Sequence, residues 1–300
     1  MNQFFDYSPE VKVALEHNKP ILALESTIIS HGMPYPDNYE TALAVEQIVR
    51  ELDVTPATIA VIDGTIKIGL TTNELQQFAN NKEALKASRR DLPYMLANRH
   101  SAGTTVAATL FCAAKAGLKL FATGGIGGVH RGDAQDISAD LIELSRTPIA
   151  VICAGAKAIL DLPRTLEFLE MMSVPVVGYR TQVLPAFYTD ATHHPLSTWV
   201  EDVSTLADIL TAHWGLGMTS GVLVTNPIPA EFNIPVQIIE PVIMNAIQKA
   251  EQNNITGKEL TPFLLAEVAQ LTQGKSLLAN IALIKNNARL GAELARIIYS

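Results

Sequence analysis

The chain has 300 residues, of which 48% are hydrophobic and only 17% charged, and its mean hydropathy is +0.20. That is ample for a sizeable core and argues against disorder or a coiled coil. A formal charge of −8 argues against broad binding to nucleic-acid backbones, which needs a basic footprint, while leaving room for a local basic pocket around one phosphate.

In chain order, the opening MNQFFDYSPEVK lacks the basic start and long apolar stretch of a signal peptide. Residues 21–29 then read as a buried strand, 38–53 as a helix, 57–63 as a strand and 104–117 as a helix. Strands at 119–123 and 148–155 flank a helix at 137–146, and 174–180 and 221–228 are strands separated by a helix at 206–214. Strands that are apolar throughout and alternate with helices predict an α/β fold, a three-layer α/β/α sandwich with a mainly parallel, mixed sheet. The remainder reads as a helical C-terminal segment: one helix over about 235–252, a second opening at Thr261-Pro262, a third over about 276–298. No linker or repeat divides residues 1–300, so one domain is expected. No uncharged apolar run approaches the roughly 18 residues of a membrane span. Cys112 and Cys153 lie in apolar runs, as buried thiols in a reducing cytoplasm would.

Three interruptions of the strand pattern carry chemistry. Glu25, in ILALESTII, is a carboxylate within an apolar strand. Buried there, its pKa rises, which suits a general acid; at a strand end facing solvent it would be ordinary. The cluster Gly124, Gly125, Gly127 and Gly128 follows a strand and is followed by His130, Arg131, Asp133, Asp136 and Asp140. Its spacing fits neither a dinucleotide nor an ATP signature. A loop that brings backbone close to a polar ligand, with a hard cation on the carboxylates, competes with a tight turn whose following helix Asp136 caps. Lys157 stands directly after an apolar strand among small residues. Apolar surroundings favour the neutral, nucleophilic amine, whereas a lysine snorkelling at a helix start would do nothing. Two lesser features favour an anion: Lys86, Arg89 and Arg90 in KASRRDLP, and the Gly-Thr-Thr turn of SAGTTVAATL, which opens a helix.

The strings LALESTIISHGMPYP, SRRDLP, GTTVAAT, FATGGIGGVHRG, DISADL, VICAGAKAILDLP, TNPIP, GKELTPFLLA and NIALIKNNA together resemble the pseudouridine-5′-phosphate glycosidase family over nearly the whole chain. The resemblance implies cleavage of pseudouridine 5′-phosphate to uracil and ribose 5-phosphate, reversibly, by a homotrimer that uses a divalent cation, usually manganese. It implies Glu25 as proton donor and Lys157 as Schiff-base nucleophile. Lys86, Thr105, Val106, His130, Ser138, Ala139, Asp140 and Asn280 would bind substrate, and Asp136 would hold the metal. The stretch Asp133-Ala134-Gln135 is shorter than is usual in the family, which bears on Asp136. The chemistry accounts for the pair. A carbon leaving group is far poorer than the nitrogen of an ordinary nucleoside, so protonation and an oxocarbenium ion do not suffice; ring opening and a lysine adduct give another path. The group that protonates uracil C5 is not legible. A Schiff-base aldolase acting on another sugar phosphate, a relative handling another C-linked base, and a non-catalytic sugar-phosphate-binding domain are the competing readings.

Overall fold

The computed structural model describes residues 3–132, 135–190 and 192–300. Its strands in chain order are β1 Phe5–Tyr7, β2 Ile21–Leu24, β3 Thr55–Ile62, β4 Thr65–Ile68, β5 Leu85–Ala87, β6 Ala102–Thr104 and β7 Leu120–Ala122. They continue with β8 Val129–His130, β9 Ala150–Cys153, β10 Leu160–Asp161, β11 Val176–Tyr179, β12 Thr198–Val200 and β13 Val222–Thr225. An 11-stranded sheet runs β1-β4-β3-β2-β7-β9-β13-β11-β12, with β6 also on β3 and β5 on β6; β8 and β10 form a separate ribbon. From β3 to β12 every neighbouring pair is parallel, and only β4 and β6 meet β3 antiparallel.

The central strands carry no exposed residue because both faces are covered: β2, β9 and β13 are buried at every position. The long helix Lys275–Ile298 packs over β2, β7 and β9, beside the helices Asp37–Glu51 and Val203–Gly215. It lies so close to β2 that a side chain at Gly291 would fall 2.9 Å from Leu22. The helices Val106–Lys115 and Ala139–Leu144 pack together, the former on β2, β3 and β4. One hydrophobic cluster extends from Val11 to Ala295. The three-layer, mainly parallel sandwich with a helical C-terminus is thus what the molecule adopts.

Three local readings are corrected. The strand predicted over 21–29 ends at Leu24, and the chain turns into a short wide helical turn over Ile28–Gly32. The helix expected to open at Thr261-Pro262 runs Leu260–Leu271, so Thr261 lies inside it; Pro262 is tolerated because the first turn has no earlier carbonyl to bond. No helix starts at Lys157; the next one is Leu162–Met171, capped by Asp161, which accepts from the Arg164 N–H at 3.1 Å.

Candidate active site

In the sheet β2 and β7 are parallel neighbours, but the chain leaves β2 toward β3 on one side and leaves β7 toward β9 on the other. Where connections diverge, the carboxyl ends of the strands border a crevice that no loop fills. Glu25 is the first residue after β2 and Thr123 the first after β7. The Thr123 hydroxyl donates a short hydrogen bond to the Glu25 carboxylate. Burial raises the Glu25 pKa above its ordinary value; the charge of Lys157 and the Thr123 bond oppose the rise without cancelling it. A raised carboxyl pKa is what an acid needs to carry a proton near neutrality.

Lys157 arrives from the loop after β9. Gly155 takes a left-handed conformation (φ 83°), with its missing Cβ only 2.4 Å from the Pro185 carbonyl oxygen. The loop is clipped to the glycine cluster by Ile126 N–H to Gly155 O at 3.1 Å and Lys157 N–H to Ile126 O at 3.0 Å. The lysine is half-buried, and among the described residues no hydrogen bond or ion pair ties down its ammonium.

The glycines themselves allow close packing. None of Gly124, Gly125, Gly127 and Gly128 is left-handed. A Cβ at Gly125 would meet the Phe187 ring at 2.6 Å, at Gly127 the Ser138 Oγ at 2.2 Å, and at Gly128 the Thr165 Oγ1 at 2.4 Å. Asp140 is a strut: Oδ2 accepts from Gly127 N–H at 2.8 Å and Oδ1 from Ala107 N–H at 2.9 Å. It thereby fastens the loop to the start of the helix Val106–Lys115, which Thr105 caps through the Ala108 N–H. Ser138, not Asp136, caps the helix Ala139–Leu144, accepting from Asp140 N–H at 3.3 Å.

Around these residues lies one cleft with two halves. The narrow half, about 470 Å3, is lined by Ile28, His31, Gly124, Gly125, Phe187, Pro262, Leu265 and Asn280. The wide half, about 1150 Å3, is lined by Ser88, Arg90, Thr105, Val106, His130, Asp136, Ser138, Ala139 and Asp140. Glu25, Thr27, Lys86, Lys157 and Thr261 line both. The fold therefore gathers into one place every residue to which the family resemblance gives a role in catalysis, substrate binding or metal binding. Two buried side-chain oxygens in this cleft, Thr27 Oγ1 and Asn280 Oδ1, have no hydrogen-bond partner among the described residues. Buried polar atoms are rarely left so, and a ligand would satisfy them.

Two expected cations are structural. The Arg89 guanidinium donates to both carboxylate oxygens of the buried Glu143, at 2.9 and 3.0 Å. Arg131 pairs with Glu240 and donates to the Ala158 and Leu160 carbonyls. Sequence reasoning missed Thr27, His31, Thr123 and Phe187. The polar run Ser-Thr-Ile-Ile-Ser-His-Gly after an apolar strand was the available signal for the first two; nothing local marks the others, which reach the site through topology.

For a metal, the donor set is thin. Asp136 is half-exposed, with its carboxylate 3.9 Å from His130 Nδ1, and no cluster of three His, Cys, Asp or Glu side chains exists among the described residues. Asp140 has spent both oxygens on backbone. Such a set does not cage an ion, but it fits a hard divalent cation held at one carboxylate and otherwise by water and phosphate. Asp133 and Ala134, in the shortened segment, lie outside the described residues. No helix is long and apolar enough to cross a membrane among the described residues, and both cysteines are buried and free.

The family described as indigoidine synthase A like protein matches residues 10–297. The chain belongs to that family. A pseudouridine-5′-phosphate glycosidase of Caldanaerobacter subterraneus subsp. tengcongensis is 57% identical over 297 residues, covering 98% of this chain and 97% of the relative. One from Staphylococcus aureus is 53% identical, covering 98% and 97%. Among solved structures, the prealnumycin C-glycosynthase AlnA, in complex with ribulose 5-phosphate, superposes with a TM-score of 0.91 at 36% identity, covering all of this chain and 98% of its own. An indigoidine synthase A-like protein of Thermotoga maritima gives 0.91 at 31% identity, covering 99% and 97%.

Proposed function

We propose that this family member is a pseudouridine-5′-phosphate glycosidase, cleaving the C–C glycosidic bond to give uracil and ribose 5-phosphate, reversibly. One observation carries the reading beyond likeness to relatives: the acid and the amine stand where the two halves of the cleft join. A substrate made of a flat base and a sugar phosphate puts its scissile bond at that junction. The narrow half, with Ile28, Phe187, Pro262 and Leu265 on its walls, suits the base. The wide half, with Ser88, Arg90, Thr105 and Ser138, suits the phosphate, and Lys86 serves both.

Glu25 gives its proton to the ribose ring oxygen as the C1′–O4′ bond breaks. Lys157, once its ammonium has given a proton to water, adds through its nitrogen to C1′ and then loses a second proton to the carboxylate that Glu25 has become. Once uracil C5 is protonated, the C1′–C5 pair returns to the pyrimidine and the lysine nitrogen forms the imine, which water hydrolyses to ribose 5-phosphate. Thr123 aims the acid, and the dry floor beneath it keeps the proton on until it is needed. Asp136, beside His130, would hold manganese, which when bound supplies positive charge to orient the phosphorylated substrate. Phosphate contacts should serve rate as well as affinity, since remote binding energy fixes the reacting centre. We also assign the protein to the cytoplasm, which suits its two buried thiols, and to a homotrimer, which light scattering on the purified protein checks.

The test is a pair of assays on the wild type: uracil release from pseudouridine 5′-phosphate, and borohydride reduction in the presence of ribose 5-phosphate. A pentose-phosphate mass on Lys157 together with uracil release supports the reading. An adduct without uracil release points to an aldolase-type enzyme, and neither signal overturns the enzyme.

A further inference from the structure

We infer that His31 reads the pyrimidine, its Nε2 accepting a hydrogen bond from a ring N–H, so that His31 is a specificity-determining residue of the narrow half. The inference rests on the glycosidase reading and deepens it.

The ring lines the narrow half with Glu25, Lys157 and Asn280. Its Nδ1 lies 2.7 Å from the Ser30 hydroxyl. That hydroxyl has one hydrogen, which it donates to the Ser26 carbonyl oxygen at 3.2 Å. We assign the hydroxyl hydrogen to Ser26, so that toward His31 the hydroxyl accepts and the proton sits on Nδ1. A neutral imidazole protonated on Nδ1 holds its lone pair on Nε2. Burial and the nearby charge of Lys86 favour the neutral ring. No hydrogen bond to Nε2 is made among the described residues.

The serine that sets this tautomer is itself built in. A Cβ on Gly103, in β6, would fall 2.2 Å from Ser30 Oγ and 3.0 Å from the Ser26 carbonyl oxygen. The strand is bare there, and the hydroxyl fills the space. Strand, serine and imidazole thus form a fixed chain that ends in an acceptor.

Asn280 Oδ1 is a second acceptor in the same half, buried and without a partner among the described residues. Two acceptors match a ring with two N–H groups. A C5-linked uracil keeps both N1–H and N3–H, whereas an N1-linked uracil keeps only N3–H. The narrow half is thereby matched to the C-linked base as well as to a flat one. A site that hydrogen-bonds an N–H leaves a buried acceptor unpaired when the analogue lacks it, and that is the stronger form of discrimination.

The experiment runs the reaction in the synthetic direction and compares wild type with His31→Ala. The KM for uracil should rise about tenfold, the worth of roughly one hydrogen bond. The KM for ribose 5-phosphate and its borohydride trapping on Lys157 should stay near wild type. Substrates methylated on N1 or N3 sharpen the result: in wild type each methyl costs activity, and in His31→Ala the cost of one of them should vanish. Gly103→Ala, which displaces Ser30, should raise the uracil KM in the same direction. If wild type traps ribose 5-phosphate and releases uracil, but His31→Ala leaves the uracil KM and both methyl penalties unchanged, this inference fails alone. Equal damage to ribose 5-phosphate trapping makes His31 a structural residue and also overturns it. A wild type with neither trapping nor uracil release overturns the glycosidase reading, and this inference with it.

Discussion

Glu143 and Glu25 are both carboxylates sunk in the protein near cations, yet they are equipped differently. Glu143, 1% exposed, accepts from Arg89 with both oxygens, from Arg146 at 2.7 Å and from the Thr147 hydroxyl at 2.8 Å. Arg89 is in turn stacked 4.5 Å over the Phe111 ring. Glu25 receives one hydroxyl, from Thr123, and a lysine that acts on it only through space. A carboxylate with every lone pair occupied holds segments of the chain together. One that is desolvated and under-supplied changes charge readily, and that makes it useful as an acid.

The most severe way to test the contrast is to remove the cation that Glu25 faces. Lys157→Ala should abolish uracil release and the borohydride adduct while leaving the fold intact, because its ammonium ties nothing down; mass spectrometry and circular dichroism read both. Next come two matched Glu→Gln exchanges with opposite expected effects. Glu25→Gln should cut kcat by about 10²- to 10⁴-fold, the usual worth of a positioned acid. Its stability should not fall at pH 7. A carboxyl whose folded pKa is raised contributes stability that is fully present at low pH and lost as pH rises through the folded pKa, so removing the charge removes a cost. Glu143→Gln should do the reverse. It leaves Arg89 and Arg146 without a charged partner, a loss of about 3 kcal/mol at the low end for a broken buried pair, since both arginines reach water. Its kcat below the unfolding transition should stay near wild type. Urea titration and turnover on the same samples decide it, and destabilisation by Glu25→Gln with unchanged turnover would reverse the assignment.

A finer test lies in the pH profile. The raised Glu25 pKa keeps the acid protonated to higher pH than a surface glutamate, so kcat/KM should decline as pH climbs through it, and that limb should be missing in Glu25→Gln. The smallest expected effect belongs to the metal. EDTA should weaken wild-type turnover of the phosphorylated substrate and change Asp136→Ala little; equal sensitivity in both would remove Asp136 as the holder.

How much of this could be read beforehand follows from what is local. The apolar runs at β2, β7, β9, β11 and β13 announce a covered parallel sheet, and Glu25 and Lys157 stand out because each is a charge against such a run. The short strands β4, β5 and β6 and the helix Leu162–Met171 were not legible, since their stabilisation comes from neighbours rather than from their own periodicity. His31 was hidden by reading 21–29 as one strand: two isoleucines continue the β pattern while the backbone has already turned. Arg89 and Arg90 look alike in SRRDLP, but only Arg90 borders the cleft; the fate of Arg89 is set by Glu143, 54 residues away. The glycine cluster stands out in the sequence, but the packing it allows does not. Its missing side chains make room for Phe187, Ser138 and Thr165, which no motif spacing reveals.

The helix Lys275–Ile298 carries one more consequence. Asn287, fully buried on it, donates to the Thr123 carbonyl at 2.8 Å and accepts from Asn226 at 3.0 Å, while Asn280 lines the narrow half of the cleft. A ribosome has thus already made Glu25, Lys157 and the wide half of the cleft before it makes the segment that latches Thr123 in place. The Thr123 carbonyl therefore gains its Asn287 partner only once that helix has emerged and docked.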